Sequence, residues 1–104
     1  MPKNESKVKQ WLTNAIAEAE EKTYRWTSSV LICSDVRLQV VKEDDSVKIQ
    51  LLAKDSMSIA YGDYICDLSN QSIDDIVDIA SKFYDDVQIF GIDFAITQNI
   101  HLFM

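Results

Sequence analysis

The stretch VRLQVVKEDDSVKIQLLA, residues 36–53, constrains the fold more than any other part of the chain. If Glu43 to Ser46 make the reversal, antiparallel pairing sets Val40 opposite Ile49, Leu38 opposite Leu51 and Val36 opposite Ala53. The other face then pairs Gln39 with Gln50 and Val41 with Lys48. Side chains alternate between sheet faces with a period of two, so this register separates an apolar face from a wetter one, and a slip of one residue would mix them. The stretch is therefore read as a β-hairpin with its apolar face toward a core. Upstream, SSVLIC supplies a short strand. Downstream, MSIAY and YICDL flank Gly62 and Asp63 as the arms of a second hairpin.

A sheet with one apolar face needs a covering layer, and two segments have the period to provide it. In SKVKQWLTNAIAEAEEK, Val8, Trp11, Leu12, Ala15, Ile16 and Ala19 recur at helical spacing, with Lys7, Gln10, Asn14, Glu18 and Glu21 largely off the stripe. The polar face mixes both signs of charge, which favours core packing over a membrane surface. In SIDDIVDIASKFYDD, residues 72–86, Ser72 stands as the N-cap, and Ile73, Ile76, Val77, Ala80, Phe83 and Tyr84 form the apolar stripe. The next segment, VQIFGIDFAIT, sets Phe90, Ile92, Phe94 and Ile96 in alternation and predicts a core strand that bends at Gly91. The closing IHLFM is read as one further strand, as a segment packed against the first helix, or as an edge left for a second copy.

The expected architecture is α+β: an N-terminal amphipathic helix, a mainly antiparallel β-meander, a second helix and a C-terminal strand, with both helices on one sheet face. No Gly-, Ser- or Pro-rich linker divides the 104 residues, so residues 1–104 are read as one compact domain. Cys33 and Cys66 are too few for a disulfide framework and are read as buried thiols. The chain opens without a secretory n-region and h-region, and it holds no membrane-spanning apolar run. Cytoplasmic localisation is the resulting expectation.

Charge supplies the functional clue. Residues 1–42 hold seven Lys or Arg against five Asp or Glu, a balance of +2; residues 43–104 hold three against twelve, a balance of −9. Phosphate binding needs cations that this second part lacks, so direct nucleic-acid binding is not expected. Asp74, Asp75, Asp78, Asp85 and Asp86 fall on the polar arc of the second helix. The helix dipole favours negative charge at the N-terminus, which accounts for Asp74 and Asp75. At the other end the dipole has the wrong sign for Asp85 and Asp86, and Lys82 is spaced to relieve both. Glu43, Asp44 and Asp45 add charge at the hairpin turn, and Asp63, Asp67 and Asp93 lie elsewhere.

These residues are the candidate partner-binding set: Asp74, Asp75, Asp78, Asp85, Asp86, Glu43, Asp44 and Asp45. Gathered on one surface, they would present a carboxylate array to a cationic groove, in the way that nucleic-acid phosphates do. The expected role is a non-enzymatic protein-binding or inhibitory module directed at a basic, nucleic-acid-handling protein. Trp26, Tyr61 and Tyr64 are candidate anchors. In size and acidity alone the chain resembles small phage-encoded inhibitors of host defence and bacteriocin-immunity proteins. The competing reading is a homodimer, broadly similar to small acidic secretion chaperones, that uses a sheet edge or the apolar C-terminus. The strand expected at the end of this chain stands where such chaperones have a helix.

A third reading, a small enzyme, lacks a local motif. His101 is the only histidine, and Gly62 and Gly91 are the only glycines, so neither a nucleophile–histidine pair nor a phosphate-cradling loop is evident. Asp74, Asp75 and Asp78 in DDIVD resemble the DDxxD motif of terpene synthases, but that likeness spans five residues of a chain far too short for the large helical fold. The spacing also lacks the glycine and terminal glutamate of a calcium loop. No metal or other cofactor is expected.

Overall fold

The computed structural model describes residues 5–104. Helix α1 (Glu5–Glu21) leads into strands β1 (Trp26–Cys33), β2 (Val36–Glu43), β3 (Ser46–Ala53) and β4 (Tyr64–Asp67). Helices α2 (Ile73–Phe90) and α3 (Ile92–Gln98) follow, and a terminal 3₁₀ turn spans Ile100–Phe103. The strands form one antiparallel meander in the order β1-β2-β3-β4.

The β2–β3 register is the one the sequence predicts: Val40 pairs with Ile49, Leu38 with Leu51, Val36 with Ala53, and Gln39 with Gln50. Glu43 pairs with Ser46, leaving Asp44 and Asp45 as a two-residue connection. Asp44 takes φ 54°, a left-handed conformation that Asp tolerates better than most residues. On the covered face Val36, Leu38, Val40, Leu51 and Ala53 are wholly buried. Against them pack Leu12 and Ala19 of α1 and Ile76, Ala80 and Phe83 of α2, so both helices lie on one side of the sheet.

The Ser72 cap forms as expected: its Oγ accepts the Asp75 N–H at 3.1 Å. Replacing Ser72 with alanine should lower stability by about 1 kcal/mol, measured by urea unfolding, because one N-terminal N–H loses its acceptor.

Three sequence expectations are corrected. MSIAY is a loop, because the Asp55 carboxylate accepts the Met57 N–H at 3.0 Å and the Ser58 hydroxyl at 2.9 Å, folding this segment onto itself. The second helix does not end at Asp85–Asp86, because Val87 extends its apolar stripe and the helix runs on to Phe90. The predicted terminal strands are helical. Phe90, Ile92, Phe94 and Ile96 satisfy a spacing of four as well as two, and the buried positions Ala95, Ile96 and Asn99 follow the helical period. Gly91, at φ 86° and ψ 163°, separates α2 from α3.

Candidate functional site

Eleven residues separate Asp74 from Asp85 in sequence, about 16 Å along a helix axis, and Asp74, Asp78 and Asp85 fall within an arc of about 40° at 100° per residue. All three are exposed, as is Asp75. The apolar stripe that buries Ile76, Val77, Ala80 and Phe83 holds this arc outward. Lys9 of α1 meets Asp74 at 2.7 Å, an exposed pair that links the two helices. Neither Asp75, Asp78 nor Asp85 has an ion-pair partner among the described residues.

Asp86 has a different role. It is half-buried and accepts from Lys82 Nζ at 3.0 Å and from Asn99 Nδ2 at 2.9 Å. The buried Asn99 also donates to the Ala95 carbonyl at 2.9 Å, so Asp86 fastens α2 to the end of α3. Glu43, Asp44 and Asp45 are exposed at the hairpin tip, where the Ser46 hydroxyl donates to the Glu43 carbonyl at 3.0 Å. No hydrogen bond or ion pair among the described residues joins that tip to α2. The eight predicted residues therefore divide into an open helix face, a structural latch and a separate turn.

Two features were missed in the sequence. The first is a carboxylate group formed by Asp55, Asp63 and Asp93. Asp93 accepts the Ser56 N–H at 2.9 Å and its hydroxyl at 2.5 Å, while the Ser58 hydroxyl bridges Asp55 and Asp63. The Tyr64 hydroxyl donates to Asp55 at 3.3 Å. Asp55 and Ser58 are three apart, a local turn signal, but Ser56 and Asp93 are joined only by the fold. No group of three or more His, Cys, Asp or Glu suited to a metal occurs among the described residues. The serine hydroxyls here donate to carboxylates.

The second missed feature is an apolar corner. Ile89 is 70% exposed, Phe90 53% and Phe94 47%, and the two rings lie 5.0 Å apart at 44°. Phe90, Gly91, Ile92, Asp93, Phe94 and Thr97 line an open groove of about 430 Å³. A second groove, of about 230 Å³, shares Asp93 and Thr97 and adds the exposed Met57. The sequence signal was the four-residue spacing of Phe90 and Phe94 on either side of a glycine. The aromatic anchors proposed from sequence are engaged internally instead. Trp26 and Tyr64 pack against the core, and the Tyr61 ring lies 4.6 Å from the Arg37 guanidinium with its hydroxyl on the Ser34 carbonyl.

Hydrogen bonds from Asn99 and Lys82 lower the Asp86 pKa, those from the Ser69 hydroxyl and N–H lower that of Asp67, and those from Ser56 lower that of Asp93. A carboxyl depressed in the folded state contributes stability above its unfolded pKa, and that contribution is lost as pH falls through the folded value. Unfolding free energy should therefore decline from about pH 5 to about pH 2, and Asp86→Asn should make the decline shallower. Denaturation across that range checks this; an unchanged slope in the variant contradicts it.

Burial raises the pKa of the free thiols of Cys66 and Cys33, which keeps both protonated. No helix among the described residues is long and apolar enough to cross a membrane. Comparison of the chain with protein-family models, with curated proteins and with solved structures gives no match.

Proposed function

We propose that this chain is a non-enzymatic acidic module that binds a basic protein surface, including one that ordinarily holds nucleic-acid phosphates. The carrying observation is the exposed polar face of α2, where Asp75, Asp78 and Asp85 have no basic neighbour in an ion pair among the described residues. Charges fixed on a packed helix attract a cationic partner without first being ordered, which raises the association rate and disfavours acidic competitors. A net charge of −7 opposes direct contact with nucleic acid or an anionic membrane. Two free thiols fit a reducing cytoplasm.

The test is capture from a native lysate at low and high salt with the wild type and with Asp75→Asn, Asp78→Asn and Asp85→Asn combined. All three positions are exposed, so the fold should persist. Recovery of a basic protein at low salt should fall about tenfold in the triple variant, the effect of losing about 1.4 kcal/mol. Equal recovery by a folded triple variant contradicts the proposal. Asp86 is left out of this set because it is occupied by Asn99 and Lys82.

Strand β1 supports a second reading as a homodimer. It is an edge of the sheet, and its eight residues, WTSSVLIC, include no charge or proline to discourage pairing with another edge. Because α3 replaces the expected terminal strand, the lack of a C-terminal helix no longer separates the chain from small secretion chaperones. Light scattering distinguishes the readings: a monomer at all concentrations removes the second.

A further inference from the structure

We infer that the groove at the α2–α3 corner docks a short partner segment with a bulky apolar side chain flanked by lysine or arginine. The inference rests on the proposed binding of basic surfaces and supplies that reading with a point of contact.

The apolar half of the match is set by Phe90, Ile92 and Phe94, which line the groove from two helices joined at Gly91. Gly91 brings no side chain into this corner, and apart from its chain neighbours no atom lies within 4 Å of where its Cβ would stand. Met57 extends the apolar surface along the adjoining groove, and hydrogen bonds from Ser56 to Asp93 hold its loop against α3. The groove is shallow and open, suited to a protruding side chain on a chain segment rather than to an enclosed small molecule.

The charged half follows from sequence and helix geometry together. No lysine or arginine follows Lys82, which is itself engaged by Asp86 and Asn99. Asp86 precedes Phe90 by four residues, one turn away on the same side of α2, but Lys82 offsets its charge, so the carboxylate at the groove without an ion pair among the described residues is Asp93. Asp93 lines the groove itself. Hydrogen bonds from Ser56 depress the pKa of Asp93, which keeps it anionic. A rim of this sign repels acidic lipid headgroups and the matching surface of a second copy, and it attracts basic residues beside an apolar anchor.

The test uses fluorescence anisotropy on the full chain with three labelled synthetic peptides. One has a leucine–phenylalanine–leucine centre between paired basic residues, one keeps the basic flanks around a serine–glutamine–serine centre, and one keeps the apolar centre between paired acidic residues. The first should bind, and each of the others should bind at least about tenfold more weakly. Phe90→Ser and Phe94→Ser should each weaken the first peptide about tenfold while circular dichroism shows the fold retained, since both side chains are about half exposed.

If the polar-centred basic peptide binds as tightly as the first, or both serine variants bind like wild type, the groove inference falls and charge capture by the helix face stands. If the acidic peptide binds as well as the first, both readings fall. A concentration-dependent dimer that Phe90→Ser dissociates assigns the groove to a second copy and overturns the inference. Failure of the first peptide to bind at about millimolar concentration also overturns it, while the lysate capture separately judges the broader reading.

Discussion

Replacing Phe83 with alanine should lower the unfolding free energy by about 3–5 kcal/mol, a large share of the roughly 5–15 kcal/mol typical of a domain. Phe83 is wholly buried on the stripe of α2 that faces the sheet. Its ring meets Phe103 edge-on at 5.7 Å, and Phe103 meets Tyr64 of β4 in the same way at 5.7 Å. The ring therefore joins the second helix, the terminal 3₁₀ turn and the edge strand. Its removal leaves a cavity and withdraws the surface against which Phe103 is seated. Urea unfolding followed by circular dichroism should show a lower midpoint. Amide exchange should show early loss of protection at Leu102 and Phe103. A loss of stability below about 1 kcal/mol would contradict this placement.

Gly91→Ala should cost about 1–3 kcal/mol even though an added Cβ meets nothing within 4 Å. The cost is conformational: φ 86° with ψ 163° is a combination essentially restricted to glycine. Gly91 donates its N–H to the Val87 carbonyl at 2.8 Å and accepts the Ala95 N–H at 3.0 Å, closing one helix and opening the next. Where a backbone is compatible, alanine in place of glycine usually stabilises through the unfolded chain, so the sign of the change is itself informative. Denaturation should give a lower midpoint than wild type. An equal or higher midpoint would contradict the backbone angle.

The parts legible in the sequence are those where one period dominates. Residues 36–53 offer a single register that sorts Leu38, Val40, Ile49 and Leu51 from Gln39 and Gln50, and that register is present. Helix α2 was equally clear because Ser72 marks its start and its apolar stripe is continuous. The C-terminal segment was misread because apolar residues at every second position are also four apart. The choice between periods depends on the Gly91 backbone and on the burial of Ala95, Ile96 and Asn99. The acidic set was partly legible: exposure of Asp75, Asp78 and Asp85 follows from the helical period. The fixing of Asp86 by Asn99, thirteen residues later, required the fold.

The same distinction shapes the functional reading. An exposed carboxylate on a solvated helix is ordinary, and single surface ion pairs contribute little to stability. What separates α2 is the combination of a charged arc with an apolar corner at its end, because charge speeds encounter and buried apolar anchors prolong contact. The sequence places the two aromatic residues of that corner in the core, and so it proposes a basic partner without proposing these residues as its anchor.

On the function proposed above, the open carboxylates of α2 capture a cationic protein surface. The most direct measurement is the salt dependence of affinity for the captured partner, wild type against the combined Asp75→Asn, Asp78→Asn and Asp85→Asn variant, from about 50 to about 500 mM salt. Screening acts over about 10 Å at 0.1 M, so exposed charge pairs should weaken across this range. Wild-type affinity should fall steeply, and that of the variant less steeply from a weaker start. Superimposable curves from two folded proteins would contradict it.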